Sequence, residues 1–467
     1  MKLKNIQSLS IADNYYRLDV GPYVSGAIEV RETIEKSSYK KEPLHYFTLC
    51  GKQGIYHAGR ESRSWVDEEE FGVKFLGSTD VLKVNTSDLP LISRKQVKKT
   101  PAFLIRHGYT LISRSGTIGR MAYCRRDMDM LACSEHVMRV VPDSKVVWPG
   151  YIYAFLNSKF GVPLVVSSTY GSIIQSIEPH HVEDLRIPII PKKIEKDVHE
   201  KIEKAASLRQ EAAELLNQAI DSFESAAKLK HFKSTSSVTP YFVREVSALN
   251  CSARMDAIYH SEFHQDIVDE IKGSGFGVVT VSHITKSIIE PGRFKRNKVQ
   301  SSENAIPFFG TAALFLAEPK ANYHIPANDR KIGEFFVGDK TLLIPRSGSI
   351  NGIIGKVVFP YGEIVNGAVS EDAIRINCHT EEDAGYLYVF LSSQYGFRQL
   401  KGRVFGSAIP HLDVKQIGKV ILPDLSKEKI CNIGSKACLV RSMRDEAINI
   451  EKAAISLLEK TIDKSLE

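Results

Sequence analysis

The densest chemistry in this sequence is cationic. Arg94, Lys95, Lys98 and Lys99 place four positive charges within six residues, and Arg293, Lys295, Arg296 and Lys298 do the same. Runs of this kind neutralise phosphates and bind polyanions in a salt-dependent way. Gly292 precedes the second run, and its counterparts in the first half are Gly59, with Arg60 and Arg63 following it. Arginine also forks onto guanine, so Arg60 and Arg293 are candidate base readers as well as phosphate clamps. The plainer reading of both runs is a solvated surface loop. Arg114 and Arg346 each precede a Ser-Gly turn and stand open between a phosphate contact and pairing with a carboxylate. Gly171-Ser172 and Gly406-Ser407 read as turns that lead into capped helices.

Catalytic patterns are missing from the same inventory. An adenine methyltransferase needs a Gly-rich cofactor loop and an Asn/Asp-Pro-Pro-aromatic motif for the flipped base, and the sequence has neither. Gly273-Ser274-Gly275-Phe276-Gly277 lacks dinucleotide and P-loop spacing and reads as a turn. Pro142-Asp143 and Pro423-Asp424 lack the Glu-x-Lys of a metal-dependent nuclease nearby, and His180-His181 has no third ligand close in sequence. Seven cysteines with no CxxC pair read as reduced cytosolic thiols, neither a disulfide frame nor a zinc site. The expectation is a chain with no active site, no metal and no cofactor of its own.

Lys and Arg total 62 against 55 Asp and Glu, a mild excess that suits a polyanionic partner without demanding one. Apolar residues at 43% and charged residues at 25% are globular proportions, and 467 residues exceed one ordinary core. The start, Met-Lys-Leu-Lys-Asn-Ile-Gln, has no apolar segment and no run of 18 apolar residues follows, so the expected location is cytoplasmic, without a membrane.

The elements that must position these cations are written twice. Leu111-Ile112-Ser113-Arg114-Ser115-Gly116-Thr117-Ile118 returns as Leu343-Ile344-Pro345-Arg346-Ser347-Gly348-Ser349-Ile350, at an offset of 232 (347 − 115). Gly59-Arg60 returns as Gly292-Arg293 at 233, and the segment Tyr151–Ser158 as Tyr386–Ser393 at 235. Arg17, Asp19 and Tyr23 match Arg254, Asp256 and Tyr259. Collinear matches whose offsets drift by a few residues indicate duplication with loop insertions.

Each half opens with short β-like runs, among them Val73–Leu76, Thr110–Ser113, Met121–Cys124, Phe335–Val337 and Lys356–Phe359. One helix is clear in each half, opening at Pro149-Gly150 and near Glu381. A long Pro-free stretch follows. Apolar residues at Ile194, Val198, Ile202, Ala205, Leu208, Ala212, Leu215, Ala219, Phe223 and Ala226 alternate gaps of three and four, and Ile430 to Ile462 repeats the pattern. Such a narrow seam predicts a coiled coil of two antiparallel helices, each spanning roughly 57 Å at about 1.5 Å per residue. The plainer alternative is that each helix covers its own domain. His231–Thr239 reads as a polar linker.

Two α/β modules alternating with two long helices resemble the specificity subunits of type I restriction-modification systems. The resemblance is carried by the module-opening residues above, by SRSGTIG (113–119) and PRSGSI (345–350), by YGSIIQSI (170–177) with DLRIPIIP (184–191), and by FGSAIPHL (405–412) with IGKVILP (417–423). Pro22 within the first opening motif departs from the pattern. The resemblance implies a mixed α/β fold with two duplicated target-recognition domains (1–190 and 240–423), separated by two long antiparallel coiled-coil helices (191–233 and 424–467). It also implies double-stranded DNA as ligand, read as a bipartite site. Two methyltransferase subunits would bind S-adenosylmethionine in this chain's stead, and a motor-nuclease subunit is a further partner. The chain itself would be non-catalytic. Two rivals stand beside it: a restriction or modification enzyme with an unrecognised active site, and a structural hub whose basic face is incidental.

Overall fold

A computed structural model describes the chain except residues 1–4, 7, 9–10, 12–15, 17, 19, 87–88, 116–117, 168–175, 233–242, 244, 249–250, 252–253, 329–331, 351, 407–408 and 467, and the side chain of Pro22. Arg17, Asp19, the Gly171-Ser172 turn, Ser407 and most of the expected linker therefore lie outside the described residues. The chain divides into two compact units, 1–210 with 446–467 and 211–445, so each long helix contributes one part to each unit.

In the first unit the strand Thr110–Ser113 lies between Val137–Val140 and Met121–Tyr123, with Ile55–Tyr56 at the outer edge, all antiparallel. Both central strands are buried along their whole length because each face of this sheet has its own core. Alternation along the strand decides which. Ile112, Met138 and Val140 join the core under the helix Pro149–Leu156, while Leu111 and Val137 join a second core with Leu76, Cys124 and Cys133. A second sheet runs Trp65–Val66, Leu91–Ser93, Gly72–Leu76, Ala132–Cys133, its last pairing parallel with Phe75 opposite Ala132.

The second unit repeats these pairings. Thr341–Pro345 and Ala373–Asn377 are antiparallel, with Ser287–Ile289 at the edge, and Leu343 meets Val358 in a single bridge. Ala305–Phe309 pairs antiparallel with Tyr323–Pro326 and parallel with Ala368–Val369, Phe308 opposite Ala368. The short ribbon Lys41–Pro43 with Arg186–Pro188 likewise recurs as Val278–Thr280 with Ile421–Pro423. Two strand expectations fail. Lys356–Phe359 is no strand, since Val358 makes only its isolated bridge to Leu343. Residues 332–335 form a 3₁₀ turn, and Phe336 makes only an isolated bridge to Ala368, so 335–337 is no strand.

The long helices run Lys192–Ala226 and Lys427–Lys464. In the second unit Lys436 donates to Ser222 at 2.8 Å and Lys429 to the Ala226 carbonyl at 3.2 Å, a falling against a rising number that marks antiparallel neighbours. In the first unit Arg209 pairs with Glu451. The buried face is broader than the two-per-heptad seam read from sequence. Ala206, Leu216, Ala227, Ile448 and Leu458 are buried too, as are Arg209, Glu224, Arg444 and Glu451. The cause is that each helix also covers its own module. Gly150 lies so near the first helix that a Cβ there would stand 2.8 Å from the His199 Cα. Gly385, in the helix Glu381–Ser392, would bring a Cβ to 2.4 Å from the Gly434 carbonyl oxygen of the second. Within each unit the helix segments thus contact both the module and the other long helix.

Candidate nucleic-acid interface

The structure joins the two cationic segments of the first unit into one surface. Gln96, on the short helix Arg94–Lys99, accepts from the Ser64 amide at 2.9 Å and donates to the Ser62 carbonyl at 2.8 Å. Thr100 donates to Glu61 at 3.0 Å. The arm carrying Arg60 is thereby laced to the helix, on which Lys95, Lys98 and Lys99 are exposed. The Arg94 guanidinium donates to the carbonyls of Gly72 (2.8 Å), Glu70 (3.3 Å) and Glu69 (3.4 Å), bracing the loop that leads into strand Gly72–Leu76. That loop, Asp67 to Glu70, is exposed and acidic.

A common clasp holds the arm in both units. Arg63 lies over the buried Phe75 ring at 4.9 Å and pairs with Glu135 at 2.7 Å. Arg296 lies over the buried Phe308 ring at 4.8 Å and pairs with Glu371. Burial alone would raise the Glu135 pKa, but the Arg63 hydrogen bond, with its backbone bond and the Arg63 charge, holds it below the usual range. Burial lowers that of Arg296, yet the Tyr323 hydroxyl and Glu371 outweigh it and raise it. With the second arginine of Gly-Arg-x-x-Arg committed inward, the first is left outside: Arg60 and Arg293 are exposed, as are Lys295 and Lys298.

Beneath each clasp sits an arginine that the cation count passed over. Arg139 is 0% exposed and donates to the carbonyls of Ser134 (2.8 Å), Val137, Cys133 and Phe103 (3.2 Å). Arg375 is 2% exposed and donates to those of Ser370 (2.9 Å), Ala373, Val369 and Phe335 (3.4 Å). Each thus fixes the turn that carries the clasp acid. The signal was available in the paired segments Ala132-Cys133-Ser134-Glu135 with Arg139 and Ala368-Val369-Ser370-Glu371 with Arg375, at an offset of 236 (375 − 139).

Arg114 and Arg346 each pair with a carboxylate. Arg114, 4% exposed, pairs with Glu178 and donates to the Ile177 (3.0 Å) and Glu135 (3.3 Å) carbonyls. Arg346 pairs with Glu290. No group of three or more His, Cys, Asp or Glu that could hold a metal occurs among the described residues. Nor is any described helix long and apolar enough to cross a membrane.

No protein-family model and no curated protein matches the chain. Solved structures do align with it. The S subunit of a type I restriction-modification system from M. genitalium covers 92% of this chain and 95% of its own at 15% identity, with a TM-score of 0.32. The HsdS subunit from Thermoanaerobacter tengcongensis covers 91% and 96% at 14% identity and TM-score 0.29. A chain from a structure on assembly and conformational transition of the type I R-M system covers 91% and 97% at 14% and 0.27.

Proposed function

We propose that this chain is the DNA-recognition subunit of a type I restriction-modification complex, a non-catalytic reader of a bipartite site. One observation carries the reading: two units of one chain present the same exposed arginine, Arg60 and Arg293, on arms held by the same Arg–Glu–Phe clasp. A protein that grips two stretches of one duplex needs such a twin grip, and a grip on phosphate or base edge needs cations held in fixed geometry. Each unit is then a target-recognition domain, and the antiparallel coiled-coil helices are the spacer. The faces of those helices turned away from the modules would dock two methyltransferase subunits. S-adenosylmethionine would belong to those partners, and a motor-nuclease subunit would complete a restricting complex.

The enzyme reading differs in what the isolated chain does. Purified full-length protein is expected to retard double-stranded DNA with strong salt dependence and to show no S-adenosylmethionine binding and no turnover. Cofactor binding with methyl transfer by the rigorously pure chain contradicts the proposal, and so does salt-insensitive or absent DNA binding.

A further inference from the structure

The clasps are alike, so they cannot tell two different half-sites apart. The same side chain on the same frame makes the same contact, and discrimination must come from positions where the two frames carry different residues at one place. The strand register identifies the best-placed one. In the first unit Val66 stands opposite Leu91, and in the second Val299 bridges His324, so position 65 corresponds to 298 and position 90 to 323. Both Phe75 and Phe308 lie under this spot.

What stands on the two phenylalanines differs in chemistry. In the first unit Trp65 meets Phe75 edge-on at 5.4 Å and is 50% exposed, a large apolar surface facing water beside Arg60's arm. In the second, Tyr323 stacks on Phe308 at 5.1 Å and 9°, and the exposed Lys298 ammonium lies 4.8 Å over the tyrosine ring. A column of Phe, Tyr and Lys thus ends in a donor with three N–H groups. The other column ends in an indole.

We propose that Trp65 and Lys298, with Tyr323 as its platform, are the specificity-determining residues that make the two half-sites different. This rests on the DNA-reading role proposed above. Lys298 would donate to an acceptor-rich purine edge such as guanine N7 and O6, whereas Trp65 would make apolar contact with a thymine methyl or wedge at a base step. Location on or beside a paired strand suits readout, because the side chain's position is fixed more tightly than on the flanking irregular arm. Lys295, on that arm, is suited to phosphate instead.

Selection of binding sites from randomised duplex DNA by the full-length chain tests the assignment. If the wild-type chain enriches no two-part motif, the DNA-reading role itself fails. Given such a motif, Lys298→Ala is expected to lose about tenfold or more of the preference at one base position of one half-site, the other half-site staying unchanged. The double variant Trp65→Lys, Pro90→Tyr is expected to alter the other half-site at a single position, toward an acceptor-rich base. Lys298 is exposed, so its variant keeps the fold and decides the matter even where the double variant does not fold. Weaker binding by Lys298→Ala to an unchanged motif would make this lysine a phosphate contact and overturn the proposal.

Discussion

Replacing Arg375 by methionine tests the link between a buried cation and the exposed arm. The guanidinium is 2% exposed and serves four backbone carbonyls. Hydrogen bonds from a charged donor contribute about 1.5 kcal/mol each at the low end, so four give roughly 6 kcal/mol. Against this stands burial, which lowers the Arg375 pKa from 12.5 to about 10 despite Glu371 and Glu334. At 1.36 kcal/mol per pKa unit that opposes folding by about 3 kcal/mol. The net loss expected for Arg375→Met is therefore about 3 kcal/mol, falling on the second unit. Urea unfolding gives the size, and hydrogen exchange at the Ser370–Ala373 turn gives the place, since a two-unit chain need not unfold in one step. DNA affinity should fall with it, because the turn holds Glu371 and through it Arg296. A loss below about 1 kcal/mol, or exchange unchanged at the turn, would refute the idea that Arg375 organises the clasp.

Arg293, Lys295 and Lys298 are exposed, so their joint replacement by alanine is expected to leave thermal stability unchanged. It should flatten the log-affinity against log-salt slope by up to about 0.9 for each phosphate no longer neutralised; an unchanged slope would remove them from the interface. His264 supplies a pH prediction. It is fully buried, and burial above all, with Arg403 nearby, lowers its pKa from 6.5 to about 4. The folded-state value lies below the unfolded one, so the neutral ring's contribution is complete above about pH 6.5 and is lost as pH falls toward 4. The second unit should lose about 3 kcal/mol over that window by denaturant titration, and His264→Leu should remove the slope. Identical slopes in the two proteins would count against it.

The repeated sequence blocks were legible because they are a property of the string alone. The strands Thr110–Ser113 and Gly72–Leu76 follow from apolar runs, and the first module helix from its Pro start. The cations were legible as charges but not as partners. Nothing in Gly59-Arg60-Glu61-Ser62-Arg63 says that the first arginine faces water and the second a phenylalanine 12 residues on (75 − 63), since that depends on a strand pairing. Arg139 and Arg375 were passed over because buried arginines solvated by carbonyls look, in sequence, like surface charges on short strands. The seam was read too narrow for a related reason. Periodicity reports that a helix face is covered, not how many neighbours cover it, and Gly150 and Gly385 bring a second one.

Mapping methylated adenines in DNA from cells that carry the chain and from cells that lack it tests the central claim most directly. A two-part motif with an unread gap is expected, modified only where the chain is present, with loss of one half of that motif's sequence requirement when the corresponding unit is altered. The same methylation with and without the chain, or a motif in one uninterrupted block, would contradict it.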